Sequence, residues 1–250
     1  MKSVLLVADR FAAMIDRPDV IGVSAFLDDV RSGRHDAAAE PCRLVVGQGL
    51  GRQGRAAIAR EVDLRGLSDR FTLSGRDFDA VPHRLVHKER PENVLLADVQ
   101  RLGPDRFQAC LTIGEYNELI LDHVSGCHIS GMVMKEAARQ MILAVTESFY
   151  VTDREGPPRK YLLRSWSTEF ALFLFPVAAT VVYTVDRLDV RRPGRLSFAV
   201  QVEIMQQDRC AARCAIEFLT CDGAIFTGIE RRQADRVIDT VLQAPEAALL

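Results

Sequence analysis

The chain has 250 residues, of which 48% are hydrophobic and 26% charged, and its formal net charge is −2. This length allows one large domain or two small ones with a substantial core, and the composition is that of an ordinary globular protein. The near-neutral charge balance argues against a general nucleic-acid-binding protein, which would be clearly basic.

Neither a targeting segment nor a membrane span is predicted. The apolar run before Asp9 is too short for the core of a signal peptide. The longest uncharged run, 170–185, is interrupted by Pro176 and is shorter than the roughly 20 residues of a spanning helix. We interpret it as two buried strands around a turn. The six cysteines show neither a CxxC pair nor zinc-ligand spacing. We therefore expect reduced thiols, no metal, no cofactor and a cytoplasmic location.

Predicted strands and helices alternate over residues 1–78. This alternation is typical of a small α/β, Rossmann-like domain with a parallel sheet. The polar stretch that follows is a plausible domain boundary. The predicted strands are 3–8, 42–46 and 71–75, and the predicted helices are 20–33 and 52–66.

A different pattern predicts a second domain over residues 79–235, followed by a C-terminal tail at 236–250. A strand hairpin precedes one long apolar helix at 131–149, and a run of further strands follows it. This order predicts an α+β domain in which a curled antiparallel sheet wraps a central helix. The hairpin strands are 93–102 and 106–113, and the later strands are 160–175, 180–190, 195–207, 210–220 and 224–232.

A glycine-rich motif lies between the second predicted strand and the second predicted helix. Gly49, Gly51 and Gly54 have the spacing and context of a dinucleotide-binding turn. Arg52 and Arg55 suit a phosphate at the helix N-terminus. The segment nevertheless holds only about half of a two-sided nucleotide-binding fold and lacks an obvious ribose-binding acid. Two interpretations stay open, namely a nucleotide or phosphate site and a tight turn with a scaffolding role.

The long apolar helix carries a conspicuous set of polar residues. A helical wheel places Glu136 and Gln140 together on one edge of the apolar arc and Arg139 on the other. A carboxylate beside the core is partly desolvated, which raises its pKa and suits it to acid–base chemistry. The alternative is an edge glutamate that is simply solvated.

The loop before this helix favours a functional site. Gly126 and Gly131 allow a ligand to approach the backbone closely, and the helix N-terminus would stabilise a thioester oxyanion. His123 and His128 flank this position. Each histidine alone is more often structural, but both occur in a glycine-containing loop before a helix that carries a glutamate.

Four short motifs resemble the A-factor biosynthesis family, hotdog-fold proteins that make γ-butyrolactone signals. They are VPHRLVHK, NVLLAD, GPDRF and EAARQ, in this order between residues 81 and 140. The resemblance covers about 81–235 and implies a hotdog fold. It also implies an acyltransferase that moves a β-ketoacyl chain from an acyl carrier protein thioester to the hydroxyl of dihydroxyacetone phosphate or a similar acceptor.

The loop, the helix and the resemblance together indicate the site residues. Glu136, His123 and Arg139 would be catalytic, with Glu136 as general base or as the group that orients the hydroxyl. Arg139 could bind a phosphate or fasten the helix to the sheet. The remaining candidates would bind substrate; they are Gln140, His128, Gly131, Gly126 and His87.

This chain departs from the family in two ways. It has one hotdog repeat where family members commonly carry two, so we expect a homodimer that completes the site. The stretch 114–117, Gly-Glu-Tyr-Asn, replaces a family motif, which leaves the acceptor open.

Two other functions stay open. The segment 122–140 also resembles the loop and helix of hotdog dehydratases, which favours a dehydratase or thioesterase acting on carrier-protein or CoA thioesters. A non-catalytic acyl-binding module is the third hypothesis. The basic stretches 191–195 and 230–236 are typical of solvated segments, although an acidic carrier protein could also dock there.

Overall fold

The computed structural model describes residues 1–14, 16–35, 40–75, 78–121, 127–151, 159–191 and 194–243. The chain divides into two compact units. The first consists of Met1–Tyr150, Thr168–Thr184 and Val202–Cys214. The second consists of Val151–Ser167, Val185–Gln201 and Ala215–Leu250.

A four-stranded parallel sheet forms the N-terminal part of the first unit. Its hydrogen-bonded order is β2-β1-β3-β4, and each neighbouring pair is parallel. Two helices connect the strands and bury Phe26, Val30, Ile58 and Val62. The strands are β1 (Lys2–Val7), β2 (Val20–Gly22), β3 (Cys42–Val46) and β4 (Phe71–Ser74), and the helices are α1 (Val23–Arg31) and α2 (Arg52–Leu64).

The predicted parallel sheet is therefore present, with one correction. The prediction of a helix over 20–33 is wrong at its start, because Val20–Gly22 pairs with β1 as a short edge strand. Three residues are too few to show a two-residue period, so the sequence pattern could not separate this strand from α1.

A six-stranded sheet has the order β5-β6-β8-β9-β10-β7. The β5–β6 hairpin is antiparallel and contains a register shift between Ala97 and Gln100, and β6 pairs antiparallel with β8. Gln207 and Asp208 both have positive φ, as a two-residue hairpin turn between β9 and β10 requires. The strands are β5 (Leu96–Arg101), β6 (Arg106–Leu111), β7 (Lys160–Phe170), β8 (Thr180–Asp189), β9 (Arg195–Gln206) and β10 (Arg209–Cys221).

The described residues contain three further α-helices: α3 (Glu118–Leu121), α4 (Gly131–Val145) and α5 (Gly223–Gln243). Helix α4 continues into a π-helical turn at Thr146–Tyr150 and contacts β5 and β6. Ten of its fifteen residues are buried, so the predicted central helix and the predicted α+β class are confirmed.

Two strand predictions are wrong. Residues 224–232 belong to helix α5, which continues past the predicted start of the tail at 236. The run 170–185 does not form the two predicted strands around a turn. Strand β7 ends at Phe170, and the next strand, β8, begins at Thr180. The predicted domain boundaries at 78 and 235 stay predictions. Within the described residues, no helix is long and apolar enough to cross a membrane.

Candidate active site

One edge of α4 holds a cluster of charged side chains beside the protein core. Glu136 is 16% exposed, and Lys88 and Arg139 are 24% and 37% exposed. Lys88 follows a 3-10 turn at His83–Val86 that packs on α4. We call Lys88, Glu136 and Arg139 the charged cluster.

Glu136 accepts hydrogen bonds at both carboxylate oxygens. Lys88 Nζ lies 2.8 Å from Oε1. Arg139 binds in a bidentate manner, with Nε 2.7 Å from Oε2 and Nη2 2.8 Å from Oε1. Gln140 Nε2 donates to Oε1 at 3.1 Å. The wheel-based prediction that Glu136 and Arg139 occupy opposite edges is therefore wrong, because residues at i and i+3 are neighbours on a helix.

Arg139 also connects helix α4 to the 3-10 turn at His83–Val86. Its Nη2 donates to the carbonyl of Val86 at 3.1 Å. His83 Nδ1 lies 2.7 Å from the carbonyl of Lys88. Exposed His87 has a φ of 53° and ends the 3-10 turn in the left-handed region. This geometry holds the lysine against the helix.

The cations decide the protonation state of Glu136. Burial alone would raise the pKa of this carboxyl, but hydrogen bonds and charge from Arg139, together with Lys88 and Gln140, lower the pKa below its ordinary value. The sequence-based expectation of a raised pKa is therefore wrong. Glu136 is an ionised hydrogen-bond acceptor at neutral pH, and it is a weak general base because its conjugate acid is strong.

Gln140 has no exposed surface. Its Oε1 accepts from the backbone N–H of Leu95 at 2.8 Å, and its Nε2 donates to the carbonyl of Asn93 at 2.8 Å. These bonds satisfy buried backbone groups next to the start of β5. They also fix Nε2, which donates to Glu136. The arrangement gives Gln140 a positioning role, and its predicted contact with substrate stays a prediction.

An apolar groove of about 500 Å³ lies at the N-terminal end of α4. Half-buried His128 lines it, with its ring centre 5.0 Å from that of Phe173. The other lining residues are mostly apolar and include Ile129, Met134 and Leu172. Ile129 is held in place by its N–H, which donates to the carbonyl of Leu174 at 2.7 Å.

Gly131 begins α4 and also lines this groove. A Cβ at this position would lie 2.9 Å from Cζ of Phe170, so glycine permits close packing of that ring on the start of the helix. Glu136 follows five residues later, ~7.5 Å along the helix axis. The other loop candidates, His123 and Gly126, lie outside the described residues.

The glycine-rich loop uses its polar groups internally. Gly47 N–H donates to Leu6, Gln48 N–H to Pro176 and Gly49 N–H to Ile113. The buried amide of Gln48 donates to the carbonyl of Leu111 and accepts from the N–H of Ile113, both at 2.9 Å. These bonds fasten the end of β3 to the end of β6.

The predicted glycines have different structural roles. Gly49 has a φ of +87°, and a Cβ there would lie 2.5 Å from Cβ of Ala8. Gly51 is the N-cap of α2, and Gly54 lies inside that helix. Arg52 pairs with Asp79 at 2.8 Å, and Arg55 donates to the carbonyl of Gly75 at 2.8 Å. The internal bonds of Gly47, Gln48 and Gly49 support the scaffolding interpretation, and nucleotide or phosphate binding stays a prediction.

The sequence patterns did not identify Lys88 or Gln48 as site residues. The Lys88–Glu136 ion pair joins residues 48 positions apart, and the Gln48 bonds span 63 and 65 positions. No short-range spacing reveals such contacts. The only sequence signal for Lys88 was its place at the end of the VPHRLVHK motif.

Comparison with known proteins gives a family match that covers most of the predicted second domain. Residues 73–222 match the family model described as the A-factor biosynthesis hotdog domain, AfsA. This match covers more than half of the chain. No curated protein matches the sequence.

Three solved structures are similar to this chain at low sequence identity. Conserved protein PA5202 from Pseudomonas aeruginosa is 19% identical, with 56% of this chain and 99% of that chain covered and a TM-score of 0.40. A mutant of thioesterase PA1618 from the same organism is 9% identical, with coverages of 51% and 81% and a TM-score of 0.38. Thioesterase HI1161 from Haemophilus influenzae is 10% identical, with coverages of 50% and 78% and a TM-score of 0.35. Because these TM-scores are low, the fold assignment rests on the family match and on the order of the helices and strands.

Proposed function

Since the chain belongs to the A-factor biosynthesis hotdog domain family, we propose that it is an acyltransferase acting on acyl thioesters. In the finer form of the proposal, it moves a β-ketoacyl chain from an acyl carrier protein thioester to the hydroxyl of dihydroxyacetone phosphate or a similar small acceptor. The observation that carries the finer form is the charged cluster on α4.

The charged cluster has more positive than negative charge. One carboxylate, Glu136, lies between two cations, Lys88 and Arg139, and all three side chains keep some exposure. A guanidinium and an ammonium that share one carboxylate still have free donors, and such donors suit a phosphate. A phosphorylated hydroxyl acceptor therefore fits the cluster better than water does.

The proposed reaction requires no cofactor. The acceptor hydroxyl oxygen attacks the thioester carbonyl carbon, the C–S bond breaks, and an ester and a free carrier thiol are formed. The proton of the hydroxyl ends on the departing sulfur. Ionised Glu136 would accept a hydrogen bond from the hydroxyl and orient it, which places the nucleophile without demanding a strong base.

The groove at the start of α4 supports binding of an acyl chain. It is lined mainly by apolar side chains, including Met134, Phe170 and Phe173, and its volume of about 500 Å³ falls within the usual range for small-molecule sites. Burial of the chain's methylene groups there would supply binding energy.

A homodimer is part of the proposal. Strand β7 forms one end of the six-stranded sheet and is exposed or half-buried along its whole length. It presents Leu162, Leu163 and Phe170 at 45%, 52% and 50% exposure. Exposed apolar side chains on an edge strand form a surface that proteins usually cover, and a second copy would cover these three side chains.

The test is mass spectrometry of purified protein mixed with β-ketoacyl carrier protein, with and without dihydroxyacetone phosphate. We expect a phosphorylated acyl ester that requires both substrates. Glu136→Gln should lower its rate of formation by about 10²-fold, since an orienting acceptor is lost. Glu230→Gln, at an exposed glutamate of α5, is the matched control and should leave the rate unchanged.

Other products would contradict the proposal. Loss of the acyl chain without acceptor would identify a thioesterase, and a dehydrated chain from a 3-hydroxyacyl substrate would identify a dehydratase. Retention of the intact thioester, bound but not consumed, would identify an acyl-binding module.

A further inference from the structure

A concave surface in the second unit carries a concentration of arginines. We propose that this surface, lined by Arg164, Arg187, Arg191 and Arg195, docks the acidic face of an acyl carrier protein. The proposal rests on the proposed function, because that function requires a carrier-bound donor. We call these four residues the arginine surface.

The hollow is about 820 Å³ in volume. Arg164 lies on β7, Arg187 on β8, Arg195 at the start of β9, and Arg191 in the connection before it. Among the described residues that line the hollow, Asp189 is the one that is acidic. Positive charge therefore predominates here, although the whole chain is slightly negative, at −2.

Intramolecular pairs leave much of this charge available. Arg187 donates to Glu217 at 3.1 Å but keeps 69% side-chain exposure. Arg191 binds Asp189 at 2.6 Å and keeps 86%. Pairs as exposed as these are weak, and a guanidinium has five N–H donors. Both arginines can therefore bind a second carboxylate.

The two other arginines are less engaged. Arg195 makes one long hydrogen bond, 3.5 Å, to Ser197 Oγ. Arg164 is exposed and forms neither a hydrogen bond nor an ion pair with the described residues. A neighbouring cation adds to the field, because Arg159 donates to the carbonyl of Gly194, next to Arg195.

The distribution of charge on the arginine surface favours a protein ligand over a small anion. The arginines come from three strands and one connection, so the positive charge is spread over a surface. A single phosphate requires donors that converge on one point. A row of carboxylates on a folded partner matches a spread surface, and such complementarity speeds association and fixes orientation. Carrier proteins are usually acidic and fit this description.

The experiment measures binding of a holo acyl carrier protein that bears a non-hydrolysable β-ketoacyl amide. Arg164→Glu/Arg195→Glu should weaken binding at least about tenfold at low salt, and the difference should shrink in concentrated salt. Arg164→Gln/Arg195→Gln, which perturbs folding less, should weaken it about threefold. Arg231→Glu/Arg236→Glu makes the same charge change on exposed positions of α5 and should leave binding unchanged.

A parallel assay separates this proposal from the proposed function. Transfer from a small N-acetylcysteamine thioester should be the same in all variants, because no carrier docks. Unchanged carrier binding in both double variants of the arginine surface would overturn the docking proposal, and so would an equal loss in the α5 variant. Salt-sensitive carrier binding that depends on these arginines, without acyl transfer from either donor, would support docking while refuting the acyltransferase.

Discussion

The glycine-rich loop and the edge of α4 are two regions that both have the residue types of a binding site, yet their polar groups are used differently. In the loop, both ends of the Gln48 amide and the backbone N–H groups of 47–49 are bonded within the protein. At the edge of α4, two partly exposed cations share one carboxylate. The loop holds parts of the chain together, whereas the edge of α4 keeps unused donors at the surface.

This difference shows what motif spacing leaves out. A Gly-x-Gly-x-x-Gly spacing describes how the backbone turns, but it does not say whether the polar groups remain available to a ligand. Availability depends on contacts between distant parts of the chain, and here those contacts favour the α4 edge. Substitutions in each region can therefore separate a scaffolding role for the loop from a functional role for the edge of α4.

The largest expected effect is on stability at the loop. Gln48→Leu would leave the carbonyl of Leu111 and the N–H of Ile113 without their side-chain partner. Unsatisfied buried groups should lower the free energy of unfolding by about 3 kcal/mol, measured by urea denaturation. Gln53→Leu, at an exposed position on α2, is the control and should change it by less than about 0.5 kcal/mol. Equal effects of the two substitutions would contradict a scaffolding role.

The second-largest expected effect is on stability at the charged cluster. Glu136→Gln removes the carboxylate that Lys88 and Arg139 share, which leaves two half-buried cations without their counter-ion. We expect the free energy of unfolding at neutral pH to fall by about 2 kcal/mol. A loss of activity without any change in stability would show that the ion pairs contribute nothing to folding.

Acid should reduce the stability difference between wild type and Glu136→Gln. The pKa of Glu136 is lowered in the folded protein, so the ionised carboxylate contributes its full stabilisation above the ordinary carboxyl pKa near 4.5. That stabilisation is lost as the pH falls through the folded value. Urea unfolding of both proteins as a function of pH should therefore show a constant difference above about pH 5 and a shrinking one below it. A difference that grows in acid would contradict the lowered pKa.

The smallest expected change in the free energy of unfolding is at Gly54. Its position inside α2 leaves room for a methyl group, since an added Cβ would lie 3.7 Å from Leu50 Cδ2. Gly54→Ala should raise the free energy of unfolding by about 0.5 kcal/mol, because alanine loses less conformational entropy in a helix. Gly49→Ala, at φ +87°, should lower it by about 2 kcal/mol. Loss of acyl transfer in folded Gly54→Ala protein would instead support a ligand site at the loop.

Much of the fold could be predicted from local patterns. The periodicity of residues 131–145 defined α4, and the alternation of strands and helices defined the parallel sheet. The family match confirms the predicted hotdog fold. Local patterns failed at β2, which is too short to show a period, and at 224–232, where Phe226 and Ile229 also have the spacing of a helix.

The candidate site could be predicted only in part. Glu136, Arg139 and Gln140 lie within one helix, so their proximity follows from their spacing. Lys88 reaches Glu136 from a distant turn. Hydrogen bonds from Arg139, Lys88 and Gln140, with the charge of Arg139, together outweigh burial and lower the pKa of Glu136. The sequence predicted the wrong direction of the pKa shift because the helical wheel placed Arg139 on the opposite edge from Glu136 and does not contain Lys88.

Acceptor specificity is the most direct test of the charged cluster as the working site. The measurement is KM for dihydroxyacetone phosphate and for dihydroxyacetone in wild type, Lys88→Met and the control Lys160→Met, which alters an exposed lysine. We predict that Lys88→Met raises KM for the phosphorylated acceptor by about tenfold, since a charge-assisted hydrogen bond is lost, and leaves KM for dihydroxyacetone unchanged. Equal changes for the two acceptors, or no change for either, would contradict phosphate binding at this cluster.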